Sequence, residues 1–171
     1  MGVLDELKTT LGIGARTNKY KVIINGVGGG PSGPIADVLA VSTTIPARSF
    51  ADVEVWIQGR LVTIAGDATF NDSWSVTFMD DEEHTLRGKF IDWMEYIDSV
   101  AKNSRGAADH SSYMTTALVQ QLSTIDNSKK AEYTFNNLYP KSLSDSVLSD
   151  MVGELLKFTV EFNYTHWEKT G

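Results

Sequence analysis

The sequence predicts an α+β domain, mainly β, and three stretches carry that prediction. Trp74, Val76 and Phe78 alternate with Ser75, Thr77 and Met79, the period-two pattern of a half-buried strand. Just beyond them Leu86, Phe90, Trp93, Ile97 and Val100 recur at spacings of four, three, four and three, which draws one apolar stripe along a helix. Near the end of the chain Leu156, Phe158, Val160, Phe162 and Tyr164 face one way, while Lys157, Thr159, Glu161, Asn163 and Thr165 face the other. A strand that runs into a helix whose aromatic stripe must lie on something is the nucleus of such a domain.

Length and composition bound the rest. A chain of 171 residues is read as one domain, large enough to bury most of its apolar side chains. Its apolar runs fall well short of the roughly 20 residues that span a bilayer. The first residues, MGVLDELKTTLGIGAR, carry acids in place of a basic flank and have no apolar centre, so no secretory signal is expected. The absence of cysteine removes disulfides and thiolate metal sites, and suits a cytosolic origin. With a net charge of −7 the chain has no electrostatic reason to grip nucleic acid, which is normally held by Lys and Arg neutralising phosphates.

Taken in order, Val3, Leu4, Leu7 and Leu11 fall on one side of a short helix-like arm that stops at Gly12 and Gly14. Residues 1–18 are read as an N-terminal arm, either a frayed terminus or a segment that docks on a neighbouring subunit. Tyr20 to Ile24 is the first strand, followed by the Gly-rich run 26–34. That run fails as a phosphate loop: Pro31 stands where the last Gly of G-x-G-x-x-G belongs, and Pro34 replaces the Walker Lys. Asp37 to Thr44 reads as a strand ended by Pro46. Val53, Val55 and Ile57 then form a strand with Trp56 facing the other way, Gln58-Gly59 turns, and Leu61 to Ile64 runs back. A hairpin apolar on both faces has more surface than one sheet face covers, so it either lies in the core or packs on another molecule; the second is preferred, and residues 44–66 are read as an extension for contacts between subunits through Trp56 and Ile57.

Gly66-Asp67 and Asn71-Asp72 punctuate the entry to the strand at Trp74 as turns. Asp80, Asp81, Glu82 and Glu83 supply a cap and negative charge at the helix start. Lys102 to His110 reads as a loop, Ala117 to Leu122 as a strand, Asp126-Asn127-Ser128 as a turn and Glu132 to Leu138 as a hairpin arm closed by Tyr139-Pro140. Ser142 to Ser149 is assigned a short helical turn. The last strand, at roughly 3.3 Å per residue, spans on the order of 35 Å, with its polar face toward water or a wet channel.

Catalytic and ligand chemistry finds no foothold. His84, His110 and His166 stand in different elements without metal-ligand spacing, and read as surface histidines. The four acids lack the D-x-D-x-D-G spacing of a calcium loop. There is neither a G-x-S-x-G elbow nor a cysteine nucleophile. Catalytic residues, metal and cofactor are each expected to be none.

A family resemblance rests on Ile64-Ala65-Gly66-Asp67, Thr69-Phe70, Asp72, Trp74, Val76, Met79, Asp81-Glu82, His84, Lys89-Phe90 and Asp92-Trp93. These match a run of V-A-G-D-x-T-F-x-D-W-x-V-x-x-M-x-D-E-x-H leading into K-F-x-D-W, with Ser73 as one extra residue. The match resumes at Leu138-Tyr139-Pro140 and over Phe158 to Trp167. In these residues the chain resembles the tail tube proteins of contractile-tailed bacteriophages. The resemblance implies an antiparallel β-sandwich or barrel with one flanking helix, in hexameric rings that stack into a hollow conduit for genome delivery inside a contractile sheath. It implies as partners other copies of the chain, the tail sheath protein, a baseplate or tube initiator and a tail terminator. Tape measure protein and DNA would pass through the lumen without tight binding, and no membrane is involved. The implied location is the virion tail, assembled in the host cytoplasm. Glu161, in the outward row of the last strand, is the lumen candidate. The fold is shared with tube subunits of tailocins, other contractile injection systems and type VI secretion, so these stay open. A monomeric β-barrel that binds a small ligand inside is the alternative of a different class.

Overall fold

The alternations read from the sequence fold as strands. The computed structural model describes residues 16–27, 33–35, 40–70, 73–106, 109–146, 153 and 155–171. Along the described chain come β1 (Tyr20–Ile24), β2 (Ala40–Thr43), β3 (Arg48–Ile57), β4 (Arg60–Phe70), β5 (Trp74–Met79), α1 (Thr85–Ile97), α2 (His110–Tyr113), β6 (Thr115–Leu122), β7 (Lys129–Leu143), β8 (Lys157–Asn163) and β9 (His166–Lys169). All strand pairings are antiparallel. One sheet runs in the order β1-β6-β7-β8-β5-β2, with β9 added to β7, and β3 and β4 form a separate hairpin.

β7 joins two halves of the core. Its first part pairs with β6 and β9, and its last part, from Tyr139, pairs with β8. Between them Asn137 takes a φ of 56° at a bulge against β6, a left-handed turn that Asn tolerates better than most residues, and the strand changes direction. The halves then face each other. The Trp74 ring of β5 stacks on Phe135 of β7 at 4.4 Å between centroids, and Phe162 of β8 lies 5.4 Å from Trp74. On the open side the Tyr20 hydroxyl donates to the Ala40 carbonyl at 3.3 Å, spanning from β1 to β2. The result is an antiparallel sandwich on its way to a barrel.

Helix α1 covers one end of this core. Leu86, Phe90 and Trp93 are buried, and Ile97 packs half-buried beside them. Phe90 meets Phe78, Phe158 and Phe162 at 5.3, 6.1 and 5.8 Å, and the Trp93 indole N–H donates to the Tyr113 carbonyl at 2.9 Å.

Several expectations are corrected. Gly66-Asp67 is no turn but lies inside β4, and the hairpin spans 48–70 where 44–66 was expected. The helix starts only at Thr85. Of the four acids, Asp81 accepts from the Thr85 amide at 2.8 Å, and hydrogen bonding to Thr85 holds its carboxyl below the usual range. His84, at φ 53°, takes the N-cap position and pairs through Nδ1 with the buried Asp80 at 2.6 Å. Val100 lies past the helix end and is 87% exposed. The expected loop up to His110 ends in the short helix α2, which the sequence reading missed. Tyr139-Pro140 does not close the hairpin arm. β7 continues to Leu143, and a second bulge beside Pro140 accommodates a residue with no ladder N–H. Ser142 and Leu143 are therefore strand where a helical turn was expected. The long last strand breaks at Tyr164-Thr165, because the chain leaves the β5 half and joins β7 on the other as β9. Asn71-Asp72, residues 37–39 and 147–149, and the arm residues Val3, Leu4, Leu7 and Leu11 lie outside the described residues.

Candidate assembly surface

The β3–β4 hairpin is built by local rules but not buried by them. Gln58 at φ 49° and Gly59 at φ 78° make the tight turn, and both need the left-handed backbone that a two-residue hairpin loop demands. From the tip, pairs run Ile57–Arg60, Trp56–Leu61, Val55–Val62, Glu54–Thr63, Val53–Ile64 and Asp52–Ala65. There the register slips. Phe50 pairs with Ala68, so β4 advances three residues while β3 advances two. Gly66 sits in that bulge, where a Cβ would lie 2.9 Å from the Ala51 carbonyl oxygen and 2.9 Å from Val53 Cγ2.

The pleat sorts the outer hairpin into two faces. Val53, Val55, Ile57, Val62 and Ile64 share one face with Arg60, an aliphatic strip ending in a charge. Asp52, Glu54 and Trp56 share the other with Ala65, Thr63 and Leu61. All ten residues of β3 are exposed. Trp56 is 71% exposed, Ile57 52% and Ile64 51%. Trp56 and Ile57, picked out from the sequence for contact with another molecule, therefore project from the tip on opposite faces.

The foot of the hairpin is tied down. Arg48 lies 5.2 Å over Phe50 and 5.4 Å over Phe70, and Phe70 packs on Trp167 and His166 of β9 at 6.3 and 6.4 Å. Beside this foot an open groove of about 850 Å³ runs between β4, β7 and the end of β8. Its lining is mixed: Phe70, Met114, Tyr139 and Tyr164 stand beside Thr69, Asn137, Asn163 and Thr165, and Lys141 is its charged residue. The sequence reading missed the groove, since its walls come from four separated stretches of chain.

Glu161 is exposed in the polar row of β8 that faces away from α1, and accepts from Ser142 Oγ at 3.1 Å. Thr77 and Thr159 hydrogen-bond across the same face at 2.9 Å. The histidines are dispersed: His84 pairs with Asp80, His110 with the Tyr113 hydroxyl at 2.7 Å, and His166 with Asn136 at 3.2 Å. Among the described residues no three acidic, His or Cys side chains converge as a metal site.

Comparison with known proteins gives this geometry its context. Residues 15–170 match the family model of the phage tail tube protein. Over 128 residues the chain is 30% identical to the tail tube protein gp19 of Enterobacteria phage T4, covering 74% of this chain and 77% of that one, and equally to gp19 of Enterobacteria phage T6. Solved structures share the fold at low identity. A sheath-tube complex of the extracellular contractile injection system PVC in its extended state aligns with a TM-score of 0.65 at 8% identity, over 100% of this chain and 99% of the other. The baseplate of the anti-feeding prophage gives 0.67 at 13%, over 92% and 95%. The Hcp1 protein from E. coli EAEC 042 gives 0.53 at 11%, over 89% and 90%.

Proposed function

Because the chain belongs to the phage tail tube protein family, as a structural subunit of a contractile tail tube, we propose that its copies form hexameric rings that stack through the β3–β4 hairpin into a hollow conduit for the genome. The observation that carries this reading is the hairpin itself: a long two-stranded ribbon whose aliphatic strip lies in water in the single copy. Two strands alone are marginal in water, and an apolar strip of this kind marks a surface meant to be covered. A second copy of the same chain is the occupant that membership in a tube family supports. Ring closure also answers the open sheet edges. Among the described residues β1 and β2 end the sheet order with no strand on their outer edges, where the Ile35 amide donating to the Ile24 carbonyl at 2.8 Å covers only one group of β1, and open edges invite uncontrolled strand addition.

In this reading the polar row of β8, with Glu161, lines the channel. A chain of net charge −7 repels phosphate, so DNA and the tape measure protein pass without adhering. Sheath protein encloses the tube, an initiator or baseplate component and a terminator cap its ends, and assembly in the host cytoplasm delivers it to the virion tail. The subunit performs no catalysis. A monomeric ligand barrel is disfavoured, since Trp74, Phe78, Phe135 and Phe162 fill the interior where a lumen would have to be.

The test places charge in the aliphatic strip. Val55→Asp with Ile57→Asp leaves a folded subunit by circular dichroism and abolishes tubes in negative-stain electron microscopy. Tubes of normal length from that variant would refute stacking through the hairpin.

A further inference from the structure

Resting on the stacking just proposed, we infer that the groove beside the foot of the hairpin is the receptor for the hairpin tip of another copy, with Trp56 entering the groove and Glu54 meeting Lys141. The two surfaces are complementary in chemistry. Trp56 stands one pair in from the turn, opposite Leu61, and is 71% exposed, an aromatic anchor left mostly in solvent. The groove is open and of mixed lining, with Phe70, Met114, Tyr139 and Tyr164 beside Asn137, Asn163 and Thr165, and its volume of about 850 Å³ has room for an indole and its neighbours.

Charge sets the orientation. Asp52 and Glu54 project from the same face as Trp56, toward the foot from it. Lys141 is the charged residue of the groove, and among the described residues neither it nor Glu54 has an ion-pair partner. Copies of net charge −7 repel at a distance, so a cation waiting where the acidic face arrives favours this docking over others.

The geometry also gives the contact a direction. Tip and foot occupy opposite ends of β4, so a tip seated in another copy's groove leaves the first copy's groove and the second copy's tip free. Such a head-to-tail contact closes into a ring or repeats without end according to the rotation it applies, and one that carries a rise from copy to copy builds a growing stack.

The chain contains no cysteine, so introduced pairs report cleanly. The variant Glu54→Cys with Lys141→Cys, assembled and treated with a short bismaleimide, gives a ladder of covalent oligomers on a denaturing gel. Alongside it, Glu54→Lys and Lys141→Glu each lower the sedimentable fraction about tenfold or more, and combining them restores tubes. Cross-linked dimers without higher species, a monomer linked only to itself, or loss of the rings themselves in Lys141→Glu would overturn the inference. So would normal tubes from both single charge variants, which would leave stacking through the aliphatic strip intact. Should the cysteine pair fail to assemble, the charge swap decides alone. Wild-type protein that forms no tubes would instead refute the stacking reading on which the inference rests.

Discussion

Trp93 and Trp56 are the same side chain in opposite surroundings, and truncating each to alanine separates core from assembly surface. Trp93 is 0% exposed on α1, lies 6.3 Å from the Phe162 ring, and donates to the Tyr113 carbonyl. Trp93→Ala removes a large buried aromatic, worth about 3–5 kcal/mol, and leaves a carbonyl without its donor, worth about 1 kcal/mol more. The expected loss is about 5 kcal/mol, which for a chain of this length lowers the melting temperature by roughly 10–20 °C. Trp56→Ala removes a ring that touches little in the single copy, so its effect stays within about 0.5 kcal/mol. Urea unfolding by circular dichroism, at concentrations where the protein is monomeric, reads both as shifts in midpoint at constant slope. Assembly then inverts the order: Trp56→Ala folds normally yet loses tubes. A Trp93→Ala midpoint equal to wild type, or a Trp56→Ala midpoint as low as that of Trp93→Ala, would refute this division of roles.

Gly66→Ala pushes a methyl into the Ala51 carbonyl and should loosen the hairpin while leaving the core intact, seen as faster hydrogen exchange of β3 amides at an unchanged global melting temperature. Hydrogen bonds from Ser123 and Ser128 depress the Asp126 carboxyl from 3.8 to about 2. Its contribution is therefore present above pH about 4 and lost as pH falls toward 2, and Asp126→Asn should flatten melting temperature against pH within that window alone. EDTA should leave the melting curve unchanged, because no metal contributes to the native state in this reading; a clear drop would show that one does.

Elements whose pattern is local were legible in the sequence. The alternation of Trp74 to Met79, the stripe Leu86, Phe90 and Trp93, and the Gln58-Gly59 turn each follow from the residues within one element. What escaped depends on partners far along the chain. Pro140 reads as a terminator until β8 is seen alongside, where a bulge absorbs the missing donor. Tyr164-Thr165 continues the alternation on paper, but the sheet it would extend has ended and β7 offers an edge on the other half. Gly66 signals a turn and a bulge equally, since both require a residue without a side chain at close approach. For the assembly surface, exposed Trp56 and Ile57 were visible as unplaced apolar residues. The groove was not, because nothing near Met114 in sequence announces Phe70 or Tyr164.

The place of β8 in the sheet sets the order in which the molecule comes into being. This strand, residues 157–163, is made after both of its neighbours, yet it lies between β7 and β5 in the middle of the sheet. β1 likewise waits for β6, since Tyr20 pairs with Gln121. The hairpin ladder, by contrast, draws only on its own two strands, residues 48–70, although its foot still waits for His166 and Trp167 of β9. A nascent chain thus carries a sticky ribbon on a body that has no core to support it. Until β8 is in place the groove lacks the wall that Asn163, Tyr164 and Thr165 give it, so in the stacking proposed above a chain without β8 offers a tip but no receptor. Insertion of this inner strand would thus act as an inspection: in the assembly proposed above, only a subunit whose sheet has closed around β8 presents both a tip and a receptor.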